Sequence, residues 1–322
     1  MISILVGAVL LGILWVWMPG ILLGAVSLGL LWAVMVIGVY LTYRILDLAD
    51  LSVEGTLPLG AAVAARMITG GVNPWLATFC ALLAGVLGGL ITGLLHTRLK
   101  IPALLSGILT MLAMWSINLR VMGGSTGRSN APLLRVETVY TALMNLGLDK
   151  TAASLAVGTL FVIGTALVIY WFFGTELGSA IRATGSNPSM VRAQGVDTRS
   201  TIILGLMISN GLVALSGALI SQYQGYYDVQ MGVGSIVIGL ASLIIGEVIF
   251  GARSFKNSLI SVILGAVAYR IIIALVLKAG MNSNDLKLFT SITVAACLYL
   301  PSFRSYLRTL GKSVKSPGKE TA

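Results

Sequence analysis

The segment 50–56, Asp-Leu-Ser-Val-Glu-Gly-Thr, places carboxylate and hydroxyl side chains within an otherwise apolar stretch of the chain. A carboxylate at membrane depth costs at least about 2.5 kcal/mol, so such a residue is retained where it has a function. Irregular backbone at that depth is tolerated only where it is buried in protein or lines a wet cavity. The pattern favours Ser52, Glu54 and Thr56 as contacts along a polar path through a membrane. Solvated acids in a loop are the alternative.

Polar residues in the second half of the chain form another candidate set. Ser235 directly follows a glycine, as Thr56 does, and Asn210 and Gln222 interrupt the apolar run 201–222. One or two of these side chains could face a path. Hydrogen bonds between helices are the favoured use of such residues within a membrane.

Three further ionisable residues, Arg66, Glu247 and Arg270, lie inside apolar segments. We interpret them as salt-paired structural residues in preference to substrate contacts. Glu54 has no acidic counterpart at Val233 in the second half. This asymmetry predicts that Glu54 contacts a solute, a gate or a basic partner such as Arg66.

The polar stretch 176–200 separates two long apolar runs. Asn187 can cap the free N–H groups of a helix start, and Pro188 suits the first helical position. Gly195 can adopt the left-handed conformation that ends a helix. We therefore predict a short helix over 188–194, which is too short to cross a bilayer.

Basic residues place this stretch in water on the cytoplasmic side. Arginine and lysine concentrate in the cytoplasmic loops of membrane proteins, and this stretch contains Arg182, Arg192 and Arg199. A short helix in such a loop is suited to being held by a soluble partner. The residues expected at that contact are Arg182, Asn187, Pro188, Met190, Arg192 and Gly195.

The composition is that of an integral membrane protein. Charged residues make up 10% of the chain and apolar residues 57%, with a mean hydropathy of +0.96. A soluble protein carries about 25% charged residues. The apolar runs are long enough for helices and too long for barrel strands, which predicts an all-α polytopic fold.

Several classes of function are disfavoured. Much of the net charge of +10 lies in the tail 301–322, which fits a cytoplasmic anchor better than nucleic-acid binding. The chain has no Gly-x-x-x-x-Gly-Lys-Ser/Thr phosphate loop, so it does not hydrolyse ATP by that route. Cys80 and Cys297 lie in apolar runs and predict neither a disulfide nor a metal site. With His96 as the single histidine, no catalytic cluster for an intramembrane enzyme is evident.

Hydropathy predicts about ten membrane-spanning segments. The third, 56–69, is too short to cross a bilayer alone. With the stretch 176–200 inside the cell, the tail 301–322 is also inside. The basic loop 120–150 then lies outside, which long loops tolerate. The predicted segments are 2–18, 21–43, 56–69, 75–95, 102–118, 151–173, 201–222, 231–250, 258–277 and 286–300.

The two halves of the chain, 21–120 and 201–300, are predicted to be inverted repeats. An offset of 179 residues (234 minus 55) superposes Gly55 on Gly234. The second to fifth segments then superpose on the seventh to tenth, and a shift by an odd number of spans reverses the orientation. Matched breaks in such repeats lie near the bilayer midplane, where a carrier binds its load.

The stretch 176–200 resembles a loop of a known family. Its Gly178, its Arg-Ala-Thr-Gly at 182–185, its Asn-Pro at 187–188 and its Gly195 resemble the cytoplasmic loop of permease subunits of ATP-binding-cassette importers. The nearest group is the branched-chain amino acid and simple-sugar permeases. The resemblance implies that 176–200 holds a coupling helix that docks into a groove on an ATPase subunit.

The segment 50–56 resembles the Asp-Leu-Ser-Val-Gly-Ser segment of the sugar permeases, with Glu54 inserted before the glycine. That variant is closer to a branch of permeases encoded beside aromatic amino acid binding proteins. In the family this segment unwinds near the middle of the membrane and borders the translocation pathway. The resemblance thus implies pathway roles for Ser52, Glu54 and Thr56. Together with Asn210, Gln222 and Ser235 from the second half, these are the predicted pathway residues.

The resemblance also implies an architecture and partners. The chain 1–322 would be one type II-like permease domain without catalytic residues or a cofactor or metal of its own. Its partners would be an ATPase subunit that binds ATP and Mg, an extracellular or periplasmic solute-binding protein, and a second permease copy in a homodimer. It would lie among lipids in a bacterial plasma membrane, with its C-terminus in the cytoplasm and without nucleic acid.

Alternatives for the solute and the energy source remain at this stage. We expect an amino acid, aromatic or branched-chain, and a simple sugar or nucleoside is the alternative solute. A secondary active transporter would also carry inverted repeats, with Glu54 or Glu247 binding a coupling ion.

Overall fold

The computed structural model describes residues 19–123, 129–133, 136–145, 147–280, 285, 288–292 and 295. The predicted segment 2–18, most of the predicted segment 286–300 and the basic tail 301–322 lie outside these residues.

Helices form nearly all of the described chain, as the composition predicts. A π-helical turn, Leu41–Ile45, extends the first helix, and a 3-10 turn, Val229–Gly232, precedes the last pair of helices. In chain order the elements are α1 (Pro19–Tyr40), α2 (Val53–Thr69), α3 (Pro74–Thr97), α4 (Ala103–Gly123), β1 (Asn130–Pro132), α5 (Val139–Met144), α6 (Lys150–Phe172), α7 (Glu176–Ser186), α8 (Pro188–Ala193), α9 (Thr198–Gln224), β2 (Tyr226–Asp228), α10 (Ser235–Phe250) and α11 (Phe255–Lys278).

Seven helices in the described part are long and apolar enough to cross a membrane. They include α1 with its π-helical turn, α10 with the 3-10 turn before it, and α3, α4, α6, α9 and α11. The short helix α2 has 17 residues and is not among them, in agreement with the predicted weakness of 56–69 as a span. The protein is therefore a multi-pass helical membrane protein, and the count of about ten spans stays a prediction.

Helix α9 lies at the centre of the fold, with 72% of its most apolar window buried inside the protein. It packs against α1, α2 and α3, and glycines allow this close approach. A β-carbon at Gly60 of α2 would overlap the backbone of Ala214, and one at Gly217 would overlap the backbone of Leu57. The backbones of α2 and α9 are therefore held in direct contact.

Hydroxyl side chains of α9 add hydrogen bonds to α1. The Ser209 hydroxyl donates to the carbonyl oxygen of Gly38 at 2.7 Å, and the Ser216 hydroxyl donates to that of Leu31 at 2.8 Å. Both serines are fully buried. Hydrogen bonds between helices are the predicted role of polar residues in this segment.

The fold is helical as predicted, with one small antiparallel sheet that the sequence did not predict. Strands β1 and β2 pair with Ala131 opposite Tyr227, and Asn130 and Pro132 opposite Asp228 and Tyr226. Tyr227 of β2 is fully buried. Strands of three residues are too short to show the alternating pattern by which strands are predicted.

Candidate functional site

The break between α1 and α2 is shorter than the resemblance implies. The backbone is non-helical from Leu46 to Ser52, with Asp47 in the left-handed region at φ 55°, and helix α2 resumes at Val53. Glu54 therefore belongs to the first turn of α2, and the expectation that all of 50–56 is unwound is wrong. The Asp50 carboxylate explains the early restart, because it accepts the Ser52 N–H at 2.9 Å and so fixes the turn before the helix.

Asp50 also anchors a buried polar cluster with Ser52 and Asn210. The Ser52 hydroxyl donates to Asp50 Oδ1 at 2.5 Å and lies 3.1 Å from Asn210 Oδ1. The Asn210 amide donates to Asp50 Oδ2 at 2.9 Å and to the Leu206 carbonyl oxygen at 3.1 Å. Asp50 is 3% exposed, and Ser52 and Asn210 are fully buried. The cluster therefore ties the break after α1 to the central helix α9.

The break before α10 meets the start of α2. Gly234 has φ +82° and precedes the first residue of α10, and its N–H donates to Glu54 Oε1 at 3.0 Å. A β-carbon at Gly232 would overlap the backbone carbonyl of Glu54. Ser235 is buried, and its hydroxyl has no hydrogen-bond partner among the described residues. The two predicted breaks are thus in direct contact, and Glu54 is half-buried between them.

Of the three contacts expected for Glu54, the one with Arg66 is not observed, and the predicted salt pairing of Arg66 is also not observed. Arg66 is exposed on α2, and no acidic side chain pairs with it in the described part of the chain. Glu247 is salt-paired as predicted, with its Oε1 at 3.2 Å from Arg44 Nε. Arg270 instead lies over the ring of Trp32, with 4.1 Å between the guanidinium carbon and the ring centroid.

The remaining predicted path residues, Thr56 and Gln222, are buried and hydrogen-bonded within the protein. Gln222 accepts the Val139 N–H at 3.1 Å and donates to the Thr78 hydroxyl at 2.9 Å, which holds α5 and α3 to the end of α9. The Thr56 hydroxyl donates to the carbonyl oxygen of Ser52 at 2.9 Å. Ser52 and Asn210 thus form one group, Glu54 and Ser235 lie at another contact, and Gln222 lies apart from both.

The short helix predicted from Pro188 is present as α8, Pro188–Ala193. Asn187 caps it by accepting the Met190 N–H at 3.1 Å, and Gly195 follows at φ +87°. Helix α7, Glu176–Ser186, was not predicted. Its glycines suggest a loop, but Gly178 is used for close packing against the end of α6.

One face of α8 is exposed and carries both an apolar and a basic side chain. The Met190 side chain is 49% exposed, and Arg192 is exposed with its Nε donating to the Thr198 hydroxyl at 2.8 Å. The Arg182 guanidinium lies over the ring of Phe255 at 5.2 Å. The pKa of Asp197 is lowered because the Ser200 hydroxyl and a backbone N–H donate to its carboxylate.

Helix α7 connects this region to the break after α1. A β-carbon at Gly185 would overlap the carbonyl oxygen of Ile45 in the π-helical turn. The hydroxyl groups of Thr184 and Thr201 lie 2.9 Å apart and join α7 to α9. The π-helical turn leads in turn to Asp50, so one chain of contacts runs from α7 to the buried polar cluster.

The family model described as "Branched-chain amino acid transport system / permease component" matches residues 21–297. The chain belongs to this family. It is thus a permease of the ATP-binding-cassette importer type, as the resemblance of 50–56 and 176–200 predicted. Among the described residues, no group of three or more His, Cys, Asp or Glu side chains is arranged to hold a metal ion.

Two of the following three relatives are named as permeases of transport systems. This permease is 41% identical over 83% of its length, and 86% of the relative's, to the "Tyrosine transport system permease protein" of Clostridioides difficile. It is 33% identical over 81% of its length, and 90% of the relative's, to an uncharacterised protein of Rickettsia prowazekii. The "Autoinducer 2 import system permease protein LsrC" of Salmonella paratyphi B is 27% identical over 67% of this permease and 60% of LsrC. No solved structure matches the permease.

Proposed function

We propose that this permease carries an amino acid, with tyrosine or a related aromatic amino acid as the solute. The observation that carries the proposal is the 41% identity to a tyrosine transport system permease over most of both chains. The variant of 50–56 that contains Glu54 supports it, because that variant resembles permeases found beside aromatic amino acid binding proteins. A simple-sugar solute is less well supported, since the relative with an autoinducer name is more distant.

The permease would act with an ATPase subunit, which binds ATP and Mg, and with a solute-binding protein. A second copy of the chain would complete the assembly as a homodimer. Helix α8 would dock on the ATPase through Met190 and Arg192, which the fold leaves exposed. ATP binding would then move α8, and the central path would change the side on which it opens.

Contacts within the permease support a route for that movement. Helix α7 directly precedes α8 and packs at Gly185 against Ile45 in the π-helical turn. The turn leads to Asp50, which is bonded to α9 through Asn210. Such a chain of packed backbone and buried hydrogen bonds can carry a displacement because interiors are close-packed and resist deformation.

The ten-span arrangement with inverted repeats 21–120 and 201–300 belongs to the same proposal. The contact between Glu54 and Gly234 supports it, because inverted repeats bring matched breaks together near the midplane. In this arrangement the stretch 176–200 and the tail 301–322 lie in the cytoplasm. The path would be lined where the two breaks meet, beside Glu54 and Ser235.

Co-purification and a stimulated ATPase activity test the proposal. The tagged permease is expected to co-purify with an ATPase subunit. In vesicles, L-tyrosine with the binding protein is expected to raise ATP hydrolysis several-fold and to accumulate inside. A secondary transporter would instead accumulate solute without an ATPase and would respond to a proton or sodium gradient, which would contradict the proposal.

A further inference from the structure

A cavity of about 330 Å³ lies between the N-terminal turn of α10 and the C-terminal half of α11. Its lining includes Val233, Gly234, Tyr269, Arg270 and Thr290. We propose that this cavity binds the carboxylate of the transported amino acid through the guanidinium of Arg270. The proposal rests on the proposed function and extends it by locating the solute on the permease.

Arg270 is a partly buried cation that lacks an anionic partner in the described part of the chain. Its Nε atom is fully buried and has no hydrogen-bond partner there, and no acidic side chain pairs with it. The residue as a whole is only partly buried, so it remains reachable from the cavity that it lines. An unpaired charge at membrane depth is strongly disfavoured, so Arg270 is a candidate functional residue.

Neighbouring donors also lack acceptors. The Trp32 ring lies 4.1 Å from the Arg270 guanidinium carbon, and the Trp32 Nε1 is buried without a hydrogen-bond partner among the described residues. The same is true of the hydroxyl of Ser235, the first residue of α10. Buried donors in native proteins are nearly always satisfied. Neither Trp32 nor Ser235 lines the cavity itself, but Trp32 contacts Arg270 and Ser235 follows the lining residue Gly234, so both unsatisfied donors border the proposed site.

The start of α10 favours the same ligand. The first N–H groups of a helix have no partner within the helix, and its dipole places partial positive charge there. Gly234 lines the cavity and donates its N–H to Glu54, so the carboxylate of Glu54 is one hydrogen bond away from a lining residue. An amino acid zwitterion carries both charges. Its carboxylate would bind at Arg270 and its ammonium would face Glu54.

The size, lining and depth of the cavity agree with an aromatic amino acid. A volume of about 330 Å³ lies at the lower end of the range for small-molecule sites. The Tyr269 hydroxyl is already engaged with the Thr290 hydroxyl at 3.0 Å, which fixes the ring at the cavity wall. Arg270 lies about 22 Å along α11 from Phe255 at 1.5 Å per residue. With the stretch 176–200 in the cytoplasm, Arg270 lies in the outer half of the membrane. A binding protein delivers its solute from that side.

An apolar cavity of about 620 Å³ elsewhere in the protein is a poorer candidate. It is lined by Trp75, Phe161 and other apolar side chains of α3, α6 and α9, without a charged residue among its described lining. A zwitterion would lose its hydration there and gain no ionic partner.

Substitution at Arg270 tests the assignment in the assembled transporter. Uptake of L-tyrosine into vesicles is measured for the wild type, Arg270→Gln and Arg270→Lys, with Arg66→Gln as the control for loss of an exposed arginine. Arg270→Gln is expected to lower uptake about tenfold, since it loses the charge that binds the carboxylate, and Arg270→Lys is expected to retain part of it. The control is expected to stay within about twofold of wild type. Uptake at the wild-type level by Arg270→Gln would overturn the proposal.

A labelling experiment decides the case in which Arg270→Gln does not assemble. Val233 is 51% exposed at the cavity, and Val233→Cys is placed in a chain whose Cys80 and Cys297 are alanine. L-Tyrosine is expected to slow its reaction with a hydrophilic thiol reagent, and tyramine, which lacks the carboxylate, is expected not to. Equal protection by both compounds, no protection, or protection that requires anionic lipid instead of L-tyrosine would each overturn the proposal. If the wild-type transporter imports no amino acid, the proposed function fails, and this protection experiment still decides whether the cavity binds a carboxylate.

Discussion

The backbone N–H of Gly234 donates a hydrogen bond of 3.0 Å to the carboxylate of Glu54, 180 positions earlier in the chain. Glu54 is in the first turn of α2, and Gly234 directly precedes α10. The bond therefore joins the starts of the two helices that follow the breaks. Any change in the relative position of α2 and α10 must lengthen or break it, which makes Glu54 a sensitive position for mutagenesis.

The first prediction concerns the charge and the acceptor at Glu54. Glu54→Gln keeps an acceptor for the Gly234 N–H but removes the charge near the helix start, an interaction of about 1 kcal/mol. Glu54→Ala removes both. Tyrosine uptake is expected to fall several-fold in Glu54→Gln and further in Glu54→Ala, while the ATPase subunit still co-purifies.

Glu137→Gln is the matched control for loss of an acidic charge, because Glu137 is exposed and makes no ion pair with the described residues. It is expected to retain wild-type uptake. If Glu54→Gln also retains wild-type uptake and solute preference, Glu54 has no role in the path and its bond to Gly234 is structural only.

The second prediction concerns the buried pair of Asp50 and Asn210. Asp50→Asn can turn an amide donor toward the Asn210 amide or the Ser52 N–H, leaving a buried group unsatisfied at about 1–3 kcal/mol. Asn210→Asp places two carboxylates together and is expected to destabilise by more. The double variant restores one acid and one amide, so its thermal midpoint in detergent is expected to recover toward wild type. Additive losses in the double variant would show that the two side chains are not directly coupled.

Local signals predicted helix α8, whereas the polar cluster depends on long-range contacts. Asn187, Pro188 and Gly195 act within their own turn of chain, so the sequence was sufficient for them. Asp50 is recognisable in the sequence as a polar residue of the segment 50–56. Its partner Asn210 is 160 positions away, and only the packing of α9 brings the two side chains together. The Asp-x-Ser spacing of Asp50 and Ser52 was a usable signal for a side-chain-stabilised turn.

The contact made by Arg270 also could not be predicted from the sequence, because its partner is distant in the chain. Its position in an apolar segment correctly marked it as unusual, and a salt bridge was the expected explanation. Its neighbour is instead Trp32 in the first described helix, and a cation–π contact has no spacing signature in the sequence. The sequence predicts a loop with a single short helix in 176–200 and so does not predict helix α7, in which Gly178 and Gly185 serve close packing.

The third prediction concerns the contact between α7 and the π-helical turn. Gly185→Ala adds a methyl group that would overlap the carbonyl oxygen of Ile45, which is expected to cost about 1–3 kcal/mol or to displace α7. Transport is expected to fall more than binding of the ATPase, because α8 itself is unchanged. Gly164→Ala is the control, since a β-carbon at Gly164 meets nothing within 4 Å. Equal transport by the two variants would remove α7 from the proposed route.

The fourth prediction concerns orientation. Single cysteines at Ser189 and Asp228 are introduced into the chain without its native cysteines. In intact cells an impermeant thiol reagent is expected to label the cysteine at Asp228 and to label that at Ser189 only after permeabilisation, because positive loops stay in the cytoplasm. A cysteine at Ser313, in the tail outside the described residues, is expected to behave like that at Ser189. Labelling of Ser189→Cys from outside the cell would reverse the proposed topology.

The fifth prediction concerns docking of α8 on the ATPase. Met190 is 49% exposed and makes none of the capping bonds through its side chain, so Met190→Asp leaves the fold of the permease intact. At an apolar interface the new carboxylate would be buried without a partner, at a cost of several kcal/mol. Uptake and recovery of the ATPase in the purified complex are therefore expected to fall together, while the amount of permease in the membrane is unchanged. Met144→Asp is the matched control, because Met144 is 39% exposed on α5 and is expected to leave both measurements at the wild-type level. Full uptake and full ATPase recovery with Met190→Asp would show that α8 does not dock through this face.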